Sequence, residues 1–332
     1  MLEARKGMAK EVTFAGLKDL KAFKAGKEIT NSARSTFMNC QKKYQYAYVY
    51  GLAPRRASIP LLVGTLFHEE LDIVYSSRNF DEAAMRTRIA AACEKACSWE
   101  GLSAQDSDDI WIQEPVTCGL VKGYVARYMK EDLKRWEILE AEGSFEAKLP
   151  GGWIYRGKKD LVIRDTKDGK TYLVEHKTAG RLDANYVAKL PMDNQILGYA
   201  WAQRETGKRF AGVVYNVSRK SALRKKQSET GAQFGARIEE DYLLNAGAYF
   251  YRETLVFSDA DLDRFGAELK RFVGYIDRAQ GEGYFMQNAG HCTAYGPCPY
   301  MRLCLDGVNK ETLLHYRVKN AAHEELDGKE DA

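Results

Sequence analysis

The stretch Gly157–Thr178, GKKDLVIRDTKDGKTYLVEHKT, constrains the fold more than any other part of this chain. An Asp-Gly pair between two apolar-rich runs is a strong short-range signal for a β-hairpin. With Asp168-Gly169 at the centre of a two-residue turn, Lys167 pairs with Lys170, and the register carried outward sets Asp160 opposite Lys177. Side chains alternate faces along a strand, so Glu175 and Lys177 share a face while His176 points to the other. Cross-strand partners also share a face, which adds Asp160 to Glu175 and Lys177. Leu161, Ile163, Leu173 and Val174 make both strands mostly apolar, as inner strands are, and charges there are costly unless paired or metal-bound. The plainer alternative is a surface ion pair on a solvated strand face.

Two carboxylates and an ammonium at the open end of an inner hairpin suit a hard divalent cation. Magnesium or manganese takes oxygens from one or two carboxylates, with water completing the shell. Such a cation activates water and neutralises charge on a phosphodiester. Lys177 can orient that water or stabilise developing negative charge. The expected chemistry is metal-assisted hydrolysis.

With 332 residues, 45% of them hydrophobic, the chain can bury a substantial core as one large domain or two joined pieces. Its 50 basic and 46 acidic residues leave a net charge of only +4, so a polyanionic partner must be recognised by local patches. No apolar run reaches the roughly 20 residues needed to span a bilayer, and the start, MLEARKGMAKEV, lacks an apolar signal core. A cytoplasmic protein without membrane association is expected. Seven cysteines in a reducing compartment then indicate free thiols, metal or a cluster rather than a disulfide framework.

Along the chain, residues 1–30 read as a loosely held, lysine-rich leader. SARSTFMNCQKKYQYAYVYG reads as one helix capped at Ser32 or Ser35 and stopped at Gly51. LLVGTLFHEELDIVYSS is a second amphipathic helix, and further helices are expected near 81–100 and 105–136. Strands begin at ILEAEGSFEAKL and continue through the hairpin. DNQILGYAWAQRETG is helical, RFAGVVYNVS and GAYFYRETLVFS are strands, and Ser258 with Asp261 forms a capping box for a helix to about residue 280. Residues 219–240 are polar and basic and read as an inserted loop. Its Arg219, Lys220, Arg224, Lys225 and Lys226 either follow a phosphate backbone or simply face solvent. The DGKT segment is no phosphate loop, because that motif needs glycine where Arg164 stands.

HCTAYGPCPYMRLC spaces Cys292, Cys298 and Cys304 six apart among Gly296, Pro297 and Pro299, a loop shaped to hold something. A tetrahedral zinc or an iron–sulfur cluster needs one more ligand, which spacing alone leaves open. Cys93, Cys97 and Cys118 read as core thiols.

These motifs together resemble the RecB-like branch of the PD-(D/E)XK nucleases, in particular CRISPR-associated RecB-like exonucleases, the AddB nuclease domain and phage relatives with an iron–sulfur cluster. The likeness runs from about Ser32 to Cys304. GTLFHEEL is similar to the family's G-x-x-x-H-x-x-L helix, with His68 in the metal-ligand place. GKKD corresponds to G-x-x-D and gives Asp160; EHK corresponds to E-x-K and gives Glu175 and Lys177. QILGY corresponds to Q-x-x-x-Y, with Gln195 and Tyr199 beside the active site and positioning DNA. Cys40, in FMNCQKKYQY, takes the place of the distant cluster ligand. The resemblance implies a [4Fe–4S] cluster on Cys40, Cys292, Cys298 and Cys304, with zinc as the alternative, clamping the chain around a passage for single-stranded DNA. Tyr44, Tyr46, Tyr48 and Tyr50 either stack bases in that passage or pack the core.

The fold expected from residues and resemblance together is a restriction-endonuclease-like α/β fold, a mixed β-sheet flanked by helices. The expected organisation is a leader (1–30), a helical region (31–137), a nuclease core (138–281) with its basic insertion, a cluster loop (282–304) and a tail (305–332). The expected activity is a magnesium- or manganese-dependent DNA exonuclease on single-stranded ends, serving recombination, repair, phage DNA processing or spacer acquisition in a prokaryotic or phage-infected cell. Helicase, recombination or integrase partners go with it. The alternatives are a structure-selective endonuclease and a non-catalytic DNA-binding subunit.

Overall fold

The computed structural model describes residues 26–55, 59–98, 102–294, 296–324 and 326. Most of the expected leader therefore lies outside the described residues. Its last residues do not: Ile29 is buried in a short strand, and Thr30 caps the following helix by accepting from the Ala33 N–H. In chain order the strands are β1 Glu28–Ile29, β2 Leu52–Pro54, β3 Trp136–Lys148, β4 Ile154–Asp165, β5 Thr171–Ala179, β6 Gly212–Arg219, β7 Phe250–Leu255 and β8 Tyr316–Val318. Among the described residues no helix is long and apolar enough to cross a membrane.

The chain divides into two compact units. The larger comprises residues 56–150 and 155–272 and is built on the sheet β3-β4-β5-β6-β7. Pairing of β4 with β5 is antiparallel, β5 with β6 parallel, and β6 with β7 antiparallel. The parallel pair needs a crossover, which the helix Asn194–Glu205 supplies. Alternation along the strands feeds two cores. Leu161, Ile163, Val174 and Val214 pack with Phe67, Leu71, Tyr124, Ile238 and other residues of the helices Ile59–Ser77, Ala104–Tyr124 and Gly231–Leu244. Val162, Leu173, Val213 and Val217 pack with Ile196 and Tyr199 of the crossover helix. A mixed sheet covered by helices on both faces is the α/β architecture expected from the sequence.

The hairpin register differs from the expected one. Leu161 pairs with Val174 and Arg164 with Thr171, so the tip is the four-residue segment Thr166–Gly169 instead of a two-residue turn. Two aspartates shape this tip: Asp165 accepts from the Lys167 N–H and Asp168 from the Lys170 N–H. Gly169 takes the left-handed backbone (φ 70°) that closes it. The displacement is two residues, so every side chain keeps its face.

The polar insertion also differs from expectation. Only its first part is loop; Thr230 and Gln233 form a capping box, and Gly231–Leu244 is a helix burying Phe234, Ile238 and Tyr242.

The described residues of the smaller unit fall within 1–55, 151–154 and 273–332. The expected single N-terminal helix is broken. Asn31–Asn39 ends where Cys40 is extended (φ −161°, ψ 110°), and the chain resumes at Gln41–Tyr44 and finishes in a π turn, Gln45–Val49. Tyr44, Tyr46 and Tyr48 are buried there, so core packing takes three of the four tyrosines. Part of the expected tail is ordered as well: β8 pairs antiparallel with β2.

Candidate active site

At the end away from its tip the hairpin ladder gives way to side chains. Beyond the Leu161–Val174 pair, the His176 N–H bonds to Asp160 Oδ2 at 2.7 Å. Continuing the register places Asp160 across from Glu175, on the face of the crossover helix. Lys177 follows on that face, its Nζ 2.7 Å from Glu175 Oε1. The hairpin thus brings Asp160, Glu175 and Lys177 together, as its alternation requires.

The crossover helix completes the group. Asp193 caps it, accepting from the Gln195 N–H with one carboxylate oxygen and from the Tyr215 hydroxyl of β6 with the other. That fixes the first turn, from which the Gln195 amide uses all its polar functions. Its Oε1 accepts from Lys177 at 2.8 Å, and its Nε2 donates to Glu175 Oε1 and to the Tyr199 hydroxyl, each at 2.8 Å. The helix lies so close to the sheet that two glycines are required. A Cβ on Gly198 would overlap the Tyr155 hydroxyl, and one on Gly157 would meet Phe145 at 2.5 Å and Tyr199 at 2.8 Å.

His68 arrives from the opposite layer. Its helix, Ile59–Ser77, buries Phe67 and Leu71 in the other core, and its imidazole Nδ1 lies 3.3 Å from Asp160 Oδ1. A small cavity of about 10 Å³ opens there, lined by His68, Asp72, Glu142, Asp160 and His176 among others; this is the space of roughly one water-sized sphere. Asp72 and Glu142 are carboxylates that the sequence motifs do not name. Asp72, one turn after His68, was findable from helical spacing. Glu142 has no sequence signal: it sits in β3 with a left-handed backbone (φ 52°), and Lys158 pairs with it at 2.6 Å.

The two carboxylates are driven apart in pKa. Burial and the neighbouring Asp160 push the Glu175 carboxyl up to about 7, against the pull of Lys177. Burial also opposes ionised Asp160, but His68, His176 and Lys177 outweigh it and hold Asp160 well below the usual carboxylate range. Burial disfavours charge on Lys177 too, yet Glu175 and Asp160 raise its pKa, so it remains a fixed ammonium. Glu175 Oε2 is buried with no hydrogen-bond partner. An orphaned carboxylate oxygen beside an ionised aspartate fits a hard cation. Among the described residues, however, no three His, Cys, Asp or Glu side chains are gathered into a metal-holding set. Here Asp160 is engaged by His68, while Glu175 Oε1 is turned to Lys177 and Gln195.

The same holds for the cysteines. Cys40, Cys292, Cys298 and Cys304 are half-buried free thiols of the smaller unit. Burial raises the Cys304 thiol, and Cys40, Cys298 and Cys292 raise it further, so the four share a neighbourhood. They do not converge as the expected cluster or zinc site requires. The Cys292 thiol lies 3.9 Å from the Asn288 carbonyl, and the Tyr46 hydroxyl near Cys304 donates to Leu303 O at 3.2 Å. Cys93 and Cys118 are fully buried in the larger unit, as core thiols are.

Residues 28–305 match the family model of the PD-(D/E)XK nuclease superfamily. The chain belongs to this superfamily. Comparison with individual curated proteins finds no match.

Proposed function

We propose that this PD-(D/E)XK protein is a divalent-metal-dependent deoxyribonuclease that degrades single-stranded DNA from an end. The observation that carries the reading is the group of Asp160, Glu175 and Lys177, in which Glu175 is fully buried and its Oε2 is left without a partner. Magnesium or manganese held by Asp160 and Glu175, with His68, would supply an activated water and neutralise charge on the scissile phosphate. Lys177 presents a permanent positive charge to the phosphate and its attacking oxygen. Gln195 keeps Lys177 and Glu175 in fixed relation, and Tyr199 backs Gln195. Preference for a threaded single strand is supported by the RecB-like motif order in the sequence and by the lack of a phosphate loop with which to unwind duplex. A cytoplasmic setting with a helicase or recombination partner goes with that reading.

The test compares linear single-stranded DNA with covalently closed single-stranded circles at equal nucleotide concentration, with magnesium or manganese. Degradation of the linear form alone is expected. Equal rates favour an endonuclease, and binding without cleavage of either favours a DNA-binding subunit.

A second proposal, iron–sulfur ligation by Cys40, Cys292, Cys298 and Cys304, is supported by the bonds that tie the segment around Cys40 to the one before Cys292: the Lys42 N–H donates to Met286 O at 3.1 Å and Asn288 Nδ2 to Asn39 O at 2.8 Å. Iron and acid-labile sulfide in anaerobically purified protein test it; one zinc and no iron would overturn it.

A further inference from the structure

The basic segment that follows β6 is not used by the chemistry above. Because β5 and β6 are parallel, both end at the same edge of the sheet, with Lys177 beside Val217 and Ala179 beside Arg219. The segment therefore leaves the sheet two residues beyond Lys177, about 7 Å at ~3.3 Å per residue. Its backbone is pinned at several points. The Lys220 N–H donates to Ala179 O at 2.8 Å, and the Ser221 N–H to the Tyr242 hydroxyl at 2.7 Å. The Lys226 N–H donates to Glu229 Oε2 at 2.7 Å. Arg237, on the helix Gly231–Leu244, holds Glu229 with two bonds and also donates to the Arg224 carbonyl at 2.9 Å.

The five basic residues of this segment are not equivalent. Arg219 lies over the Tyr249 ring and donates to Ala248 O, so it is occupied within the fold. Lys220 is half-buried, and burial lowers its pKa. Lys226 lies close enough to Glu229 to stabilise that carboxylate. Arg224 and Lys225 are different: both side chains are exposed and neither makes an ion pair among the described residues. Most other arginines of this unit are paired, Arg86, Arg88, Arg135, Arg164, Arg204 and Arg252 among them.

We infer that Arg224 and Lys225, presented on this pinned loop, bind the phosphate backbone of the DNA strand next to the cleaved bond. The inference rests on the nuclease reading above and adds where the strand runs. A held backbone lowers the ordering cost of binding, and two uncompensated cations on a loop that leaves the sheet at the edge carrying Lys177 suit a polyanion without reading its sequence. Arg237 grips the Arg224 carbonyl, so replacing the Arg224 side chain leaves that anchor in place.

The experiment measures affinity for a single-stranded oligonucleotide over a range of salt, with chelator present so that nothing is cut. R224A/K225A is compared with the parent and with K167A/K170A, which removes the same charge at the far end of β5. Thermal melting confirms that all three are folded. Each lost phosphate contact lowers the log–log salt slope on single strands by about 0.7, so R224A/K225A should lower it by about 1.4 and K167A/K170A should not. Equal slopes in all three proteins, or equal losses in both double variants, overturn the inference. A parent that cleaves DNA while R224A/K225A keeps the parent slope overturns the loop alone. A parent that neither binds nor cleaves DNA overturns the nuclease reading as well.

Discussion

Lys177 Nζ stands 2.7 Å from Glu175 Oε1, two positions along the same strand face, and the Gln195 amide closes the pair into a triangle. The triangle is made of side chains from a strand and from the crossover helix that follows it, so the spacing of these charges depends on how that helix is seated.

Asp160→Ala, Glu175→Ala and Lys177→Ala should each lower DNA cleavage by at least about 10²-fold, the scale of losing one preorganised charge-stabilising group. Melting temperatures should remain near the parent's. Cleavage by highly purified Glu175→Ala at the parent rate would show that the site is misassigned.

His68→Ala should raise the metal concentration needed for half-maximal cleavage. The rise should be larger with magnesium than with manganese if His68 is a ligand, because manganese accepts imidazole more readily. Metal titrations of parent and variant read this directly, and an identical requirement for both metals would remove His68 from the metal site.

Gly198→Val should destabilise the larger unit by about 1–3 kcal/mol, the usual cost of overpacking, because its side chain must displace Tyr155. It should also slow cleavage, since the helix that moves carries Gln195. Urea midpoints and single-turnover rates measure the two effects separately. A stable variant with the parent rate would mean that the helix is not seated as tightly as Gly198 implies.

Asp132→Ala should be more damaging to stability, at about 3–5 kcal/mol, the range for orphaning one partner of a buried ion pair. Asp132 is buried, accepts from both terminal nitrogens of Arg252, at 2.5 and 2.8 Å, and accepts from the Tyr75 hydroxyl. Arg252 Nε in turn donates to Asn216 on β6. Denaturant midpoints at constant slope are the check; a loss under about 1 kcal/mol would show that water takes over the role of Asp132.

The grouping of Asp160, Glu175 and Lys177 on one face was legible because it depends only on strand parity. The assumed register was two residues off, yet Asp160 still joined Glu175 and Lys177. What hid the true register was the pair Asp165 and Asp168, whose side chains bond the loop backbone and stabilise a longer tip than Asp-Gly suggests. The helix after residue 230 was legible but overlooked. Phe234, Ile238 and Tyr242 recur every four residues behind a Thr230–Gln233 cap, a signal masked by the charges around it. The break at Cys40 and the left-handed Glu142 had no such signal. Both are imposed by tertiary contacts among residues whose own propensities permit regular structure.

The hairpin tip lies at the far end of β4 from the chemistry. Thr166 is six positions beyond Asp160, about 20 Å at ~3.3 Å per residue, and residues 166–170 are exposed. That separation makes the tip a mounting point. A fluorophore or surface tether on a Lys167→Cys protein would leave the edge carrying Asp160, Glu175 and Lys177 open to solution. Single molecules could then be watched on a DNA strand, with the label out of the strand's way.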